Sequence, residues 1–361
     1  MTSSFWLILI SGLAALGFSL LIVLSERLHG KITHDHDLVG VQKFHKVPVP
    51  RIGGIALLVG LVCGGIYHGL ASDYQLNLAK WAGVAMIPVF LGGLLEDLGR
   101  GMSPRERLLL AFFSATIAHY ELNVGLDRIG WGWFDSEIIP IPGVSLLLTV
   151  LMVGGVSHAT NIIDGFNGLL LGVAMLALGS FIWVANQVEA GALSLYMAIM
   201  LGAMAGVFFI NFPYGRIFLG DGGAYLIGFL LSILALLLVR VNQAVSPWFP
   251  LVVLAYPITE TVFSMFRKKV LYNSPAMSPD RYHYHMLVYS WLGRRMRKID
   301  GTIQNALTSI VMWLGFLLGC GPALYWWRGT PKLIISLSVF ICCYLISYSW
   351  LKKSNDAEQK L

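Results

Sequence analysis

Four short segments carry acids beside glycine, amide or histidine neighbours: Glu96-Asp97, Asn161-x-x-Asp164-Gly165-x-Asn167-Gly168, Gly220-Asp221-Gly222-Gly223 and Asp280-Arg281-Tyr282-His283-Tyr284-His285. Carboxylates gathered in one place repel one another unless a cation or a hydrogen-bond donor stands among them. Oxygen donors of this kind, few in number, suit Mg²⁺ held jointly with a substrate phosphate. Asp221 is the sharpest signal, because Ile217-Phe218-Leu219 precede it and Ala224-Tyr225-Leu226-Ile227 follow it. An unpaired carboxylate in such a run is costly, and the flanking glycines allow a ligand close to the backbone. The plainer alternatives are a polar stop at Glu96-Asp97 with Arg100 as solvated partner, an ordinary turn at Asp164-Gly165, and surface histidines at His283 and His285. The two histidine rings share a side only if their segment is extended. A fifth segment, Lys46-Val47-Pro48-Val49-Pro50-Arg51-Ile52-Gly53-Gly54, supplies cations. Its prolines stiffen it and its glycines open a helix, so it can present Lys46 and Arg51 to a phosphate at a helix N-terminus, where the dipole also favours anions.

The elements that must position these groups are membrane helices. Of 361 residues 57% are hydrophobic and only 12% charged, with a mean hydropathy of +0.72, whereas a soluble domain carries roughly twice that charge. The net charge of +6 reads as the bias of cytoplasmic loops, not as a nucleic-acid surface. Cys63, Cys320, Cys342 and Cys343 all lie in apolar runs without CxxC spacing, which argues against disulfides and zinc.

Runs near the ~20 residues that cross a bilayer predict eleven helices, at about 5–25, 52–72, 80–96, 107–121, 142–158, 168–186, 193–212, 217–239, 247–266, 303–325 and 333–351. The first run has no Lys or Arg before it and is followed by Glu26 and Arg27. That is the reverse of a signal peptide, so a retained helix with its N-terminus outside is expected. With this orientation twenty of the twenty-five Lys and Arg fall inside, among them Arg100, Arg105 and Arg107, and only Lys80, Arg128, Arg240, Arg328 and Lys332 fall outside. All four acidic segments then face the cytoplasm. The outer segment 123–142, with Trp131 and Trp133, is expected to form a short hairpin at the interface. The fold class is an all-α polytopic membrane protein of about eleven spans, periplasmic at its N-terminus and cytoplasmic at its C-terminus. One integral domain covers 1–351, and a short polar cytoplasmic tail covers 352–361. No internal repeat is evident, and the acids cluster at one face and not at mid-membrane. Both points weigh against a cation-coupled transporter, the rival of another class.

The ordered motifs K-x-P-V-P-R-I-G-G, an acidic pair closing a helix, N-x-x-D-G-x-x-G-L, F-L-G-D-G-G-A and P-D-R-x-H-x-H resemble those of the polyprenyl-phosphate N-acetylhexosamine-1-phosphate transferases. The resemblance runs from Lys43 to His285. It implies transfer of N-acetylhexosamine-1-phosphate from a UDP-N-acetylhexosamine to undecaprenyl phosphate, with release of UMP, as the first step of a cell-envelope polysaccharide such as O-antigen or capsule. It also implies Mg²⁺, with Mn²⁺ as a second candidate, and a bacterial inner-membrane enzyme with its site facing the cytoplasm. A homodimer is compatible with it. Carried over by motif, Glu96, Asp97 and Asp164 become the catalytic acids, and Asp221, Asp97 and Asp164 the metal ligands. Lys46, Arg51, Asn161, Asn167, Arg281, His283 and His285 become the substrate-binding set. Asp97 as metal ligand, general base or covalent nucleophile are alternatives that the residues leave open. Two departures stand out: Glu96 where the pair is usually Asp-Asp, and Asn167 where many relatives carry a second Asp. A transferase for UDP-MurNAc-pentapeptide is the runner-up, less favoured because its usual His-rich triplet is here His-Tyr-His.

Overall fold

In hydrocarbon every backbone N–H and C=O needs a partner within the chain, and in the computed structural model each of the eleven apolar runs is accordingly helical. The structure describes residues 2–34, 48–71, 76–271, 273, 281–296 and 299–358. Its helices are α1 (Thr2–Leu24), α2 (Glu26–Thr33), α3 (Gly53–Ala71), α4 (Leu76–Asp97), α5 (Pro104–Glu121), α6 (Val144–Ile163), α7 (Leu169–Gln187), α8 (Gly191–Asn211), α9 (Gly220–Val241), α10 (Trp248–Val253), α11 (Ala255–Phe266), α12 (Tyr284–Arg295), α13 (Gly301–Tyr325) and α14 (Thr330–Glu358). Among the described residues eight helices are long and apolar enough to cross a membrane, and none forms a named strand.

The run at 247–266 divides into α10 and α11 at Leu254. Pro257, in the first turn of α11, has no N–H to give the carbonyl of Val253, and the Cys320 thiol approaches that carbonyl instead, at 3.8 Å. Two short helices, α2 and α12, lie in segments that hydropathy reads only as polar loops. The 352–361 tail continues α14 as helix to Glu358. The expected outer hairpin is instead a π-helical turn at Phe134–Ile138. The Asp135 carboxylate accepts the N–H groups of Ile129 and Gly130 at 2.7 and 2.9 Å and folds the segment back on itself, with Trp131 and Trp133 left exposed.

Helix α9 is the centre of the bundle and packs against α3, α4, α5, α6, α7 and α8. Lipid tails are as apolar as leucine, so such contacts rest on close packing between small residues. At the start of α9 the approach is closest. A Cβ at Gly54 would run into the backbone of Gly223, and one at Gly93 into the backbone of Asp221 and Gly222. The same join closes the start of α3: Gly53 N–H donates to the Phe218 carbonyl at 2.9 Å, Gly54 N–H to Leu219 at 2.7 Å, and Phe218 N–H to Pro50 at 2.8 Å. The N-terminus of α3 is therefore not open to a phosphate, contrary to the expectation from its glycines; its donors are spent on α9.

The packing carries a stability prediction. Gly93→Ala, which must push backbone aside, is expected to cost about 1–3 kcal/mol and to lower the thermal midpoint in detergent by several degrees. Gly155→Ala, which meets nothing within 4 Å, is expected to stay within about 0.5 kcal/mol of the parent. Equal midpoints for the two variants would remove the close approach as a constraint.

Candidate active site

A helix that starts within a packed bundle leaves its first N–H groups without partners. At α9 the last residue of α4 supplies them: Asp97 Oδ1 accepts the N–H of Asp221 at 2.8 Å, and Oδ2 the N–H of Gly222 at 2.9 Å. Gly220, at φ +76°, makes the turn that allows this, since a side chain there would strike the Arg51 carbonyl and the Asp97 carboxylate. The Asp97 side chain is 1% exposed.

With its backbone N–H on Asp97, Asp221 sits in the first turn of the apolar helix α9, and its carboxylate faces two guanidinium groups. Arg51 Nη2 stands 3.4 Å from Asp221 Oδ1 and 3.6 Å from Asp97 Oδ1. Arg107 of α5 pairs with Asp221 Oδ2. Asp164, the C-cap of α6, lies within the electrostatic reach of Arg51 and Asp97. Removal from water pushes its carboxyl up to about 7, against the pull of Arg51. Glu96 holds a buried Oε2 with no hydrogen-bond partner.

The histidine segment arrives from the other side. His283 and His285 stack with ring centroids 5.5 Å apart and planes 3° apart. A Cβ at Gly165 would meet His285 Nε2 at 3.0 Å, and Phe166 packs edge-on against the same ring. His285 of the histidine motif therefore meets the turn that follows Asp164. Burial, with the His283 ring adding to it, pushes His285 down to about 3, so the imidazole is neutral at physiological pH. His283 Nδ1 pairs with Glu260 Oε1 at 2.8 Å. The other Glu260 oxygen accepts the Tyr284 N–H at 3.1 Å and the Tyr344 hydroxyl at 2.7 Å.

The remaining predicted residues are placed less centrally. Asn167 is occupied in the scaffold: its Nδ2 donates to the Pro213 carbonyl at 3.0 Å, and its N–H to Asn305 Oδ1 at 2.8 Å. Asn161 lies in the last turn of α6, where its carbonyl accepts the Asp164 N–H at 3.3 Å. Arg281 is exposed. Lys46 lies outside the described residues, as does Asp280. Sequence reasoning missed Glu260 and assigned Arg107 only to orientation. Glu260 had a signal, as an acid inside an apolar helix.

As for what the acids can hold, among the described residues no group of three or more His, Cys, Asp or Glu is placed to bind a metal by itself. With Asp97 engaged by backbone, Asp221, Asp164 and Glu96, whose Oε2 has no partner, are the carboxylates left that could share a cation with a substrate phosphate. One or two carboxylates completed by phosphate oxygens is the set that Mg²⁺ ordinarily takes.

Residues 80–239, which contain Asp97, Arg107, Asp164 and Asp221, match the family model described as Glycosyl transferase family 4. The chain is 29% identical over 260 residues to the probable undecaprenyl-phosphate N-acetylglucosaminyl 1-phosphate transferase of Bacillus subtilis, covering 71% of this chain and 70% of that protein. It is 27% identical over 328 residues to the undecaprenyl-phosphate alpha-N-acetylglucosaminyl 1-phosphate transferase of Salmonella typhi, covering 87% and 84%. To the phospho-N-acetylmuramoyl-pentapeptide-transferase of Rubrobacter xylanophilus it is 28% identical over 293 residues, covering 76% and 84%. With its five motifs in order and acids of three of them near the start of α9, the chain is similar to the polyprenyl-phosphate N-acetylhexosamine-1-phosphate transferases.

Proposed function

We infer that this protein transfers N-acetylhexosamine-1-phosphate from a UDP-sugar to undecaprenyl phosphate at the cytoplasmic face of the bacterial inner membrane, releasing UMP. The observation that carries the reading is the meeting of Asp97, Asp164 and Asp221 with Arg51 and Arg107 at one end of the bundle. Transfer between two anions asks for charge neutralisation and positioning above all. The eleven helical runs, the Lys and Arg asymmetry and the acids at one end support eleven crossings with the N-terminus outside. The relatives named for N-acetylglucosaminyl 1-phosphate transfer, together with His-Tyr-His in place of a His-rich triplet, favour a simple N-acetylhexosamine over UDP-MurNAc-pentapeptide.

In this reading a phosphate oxygen of the lipid attacks the β-phosphorus of the UDP-sugar, the bond to the α-phosphate oxygen breaks, and UMP leaves with that oxygen. A phosphate monoester has a second pKa near ~6, so the nucleophile arrives ionised and needs no general base. Asp97, with both oxygens on N–H donors, acts as a positioning residue: it fixes the turn that aims Asp221. Asp221 and Asp164 would hold Mg²⁺, which when bound neutralises the diphosphate and stabilises the departing charge. Arg51 binds phosphate oxygens from the opposite side. Neutral His285, together with His283, whose Nδ1 is directed by Glu260, presents ring nitrogens to the donor beside Asp164.

Purified protein incubated with UDP-N-acetylglucosamine, undecaprenyl phosphate and Mg²⁺ is expected to release UMP and form a lipid-linked sugar diphosphate, and EDTA is expected to abolish both. No product with any of a panel of UDP-sugars would sink the reading. Asp221→Asn is expected to lower kcat by about 10²–10³-fold, and to lower the thermal midpoint as well, because Arg107 loses its counter-ion. Glu260→Gln is expected to raise KM for the UDP-sugar about tenfold, as loss of a charge-assisted hydrogen bond would, with KM for the lipid unchanged. Equal changes in both KM values would assign Glu260 to general packing.

A further inference from the structure

Arg107 enters the sequence as one inner cation among many, yet in the fold it is the residue on which Asp221 rests. Its guanidinium pairs with Asp221 Oδ2 while Arg51 faces Oδ1 at 3.4 Å, so each oxygen of the candidate metal ligand already looks at a cation. Behind the pair, the Arg107 guanidinium lies 5.7 Å from the ring centroid of Tyr225. Tyr225 is fully enclosed. Its hydroxyl oxygen lies 2.8 Å from Nδ1 of His158. A buried phenol hydrogen-bonded to His158 does not turn readily, so its ring holds a fixed place beside the guanidinium.

We propose that Arg107, held by Tyr225 and through it by His158, is the resting counter-ion of Asp221, which a divalent cation must displace, so that metal and nucleotide diphosphate bind tightly only together. This rests on the reading of Asp221 as a metal ligand. A guanidinium and a divalent cation on the same oxygen repel each other, so a metal ion taking Asp221 Oδ2 pushes Arg107 aside. Once moved off the carboxylate it is a buried cation without a partner, which is unfavourable. A diphosphate arriving with the metal supplies that partner and accepts the fork of N–H groups in parallel. Metal alone therefore meets an occupied ligand, and diphosphate alone meets an arginine already paired. The two together satisfy every charge, and such coupling is reciprocal.

The test uses the full chain in detergent, with Mn²⁺ as the probe, bound ion followed by electron paramagnetic resonance, and UDP as the diphosphate, corrected for Mn²⁺–UDP by a protein-free blank. For the parent protein saturating UDP is expected to tighten Mn²⁺ binding at least about tenfold. Arg107→Met is expected to bind Mn²⁺ alone about tenfold more tightly than the parent, since a cation beside the ligand is gone, and to lose most of the UDP effect. Tyr225→Phe, which keeps the ring and the charge, is expected to fall between the two and serves if Arg107→Met does not fold. The proposal is overturned if the foldable variants bind Mn²⁺ alone no more tightly than the parent, or if UDP leaves the parent's affinity unchanged. UMP release by the parent, measured separately, distinguishes the two levels: product with unaltered Mn²⁺ binding in the variants rejects the counter-ion role and leaves the transferase reading standing.

Discussion

One carboxylate on two backbone N–H groups organises this molecule. The first donors of α9 sit inside the bundle, where water cannot serve them, and the positive end of the helix dipole favours an anion at that point. Asp97 supplies it from the end of α4. For the reach to be short enough, α4 and α9 must meet at Gly93 and Gly222, α3 must meet α9 at Gly54 and Gly223, and the chain must turn at Gly220. Those contacts in turn deliver Arg51 from the segment before α3 and Asp221 from the first turn of α9. The charged corner is thus a consequence of how one helix start is satisfied, and each of its members comes from a different helix or helix end.

A second buried acid organises the opposite wall by similar means. Glu260 accepts from His283, Tyr284 and Tyr344, which ties α11, the start of α12 and α14 to one point. Because His285 packs on Gly165, the placement of Asp164 depends on that wall as well as on α6. The acids expected to work together therefore rest on two separate buried carboxylates, one fixing the α9 turn and one fixing the histidine segment. A change in α14, far along the sequence from every motif, reaches the site through Tyr344.

Hydropathy made the long helices legible because a span must be apolar along its whole length. It gave no sign of α2 and α12, which are short and cover one face only, or of the break at Leu254, which follows from where Pro257 falls. Motif reading found Asp97, Asp164, Asp221, Arg51, His283 and His285 without separating their tasks. Asp97 and Asp221 look alike as sequence, yet one has both oxygens on backbone donors and the other faces guanidinium groups. Nothing in the spacing of Arg107 distinguishes it from Arg100 or Arg105; only the packing of α5 against α4 and α9 does. Asn167 looked like a departure at a ligand position, and its amide is engaged in scaffold hydrogen bonds to Pro213 and Asn305.

The division of labour among the acids bears on the chemistry. Asp97 accepts two helix N–H groups and its side chain is 1% exposed, and turning it toward a reacting phosphate would leave a helix donor unpaired in the bundle. Nucleophilic or basic service by Asp97 would therefore dismantle the turn that holds Asp221. A lipid phosphate, by contrast, carries its own charge at neutral pH and needs only an oriented electrophile and neutralised surroundings. Arginines on both oxygens of Asp221 keep that corner compact before substrate arrives, and the same groups are suited to receive phosphate oxygens afterwards. On the proposed reading, direct displacement is the route that leaves the first N–H groups of α9 paired with Asp97 from start to finish.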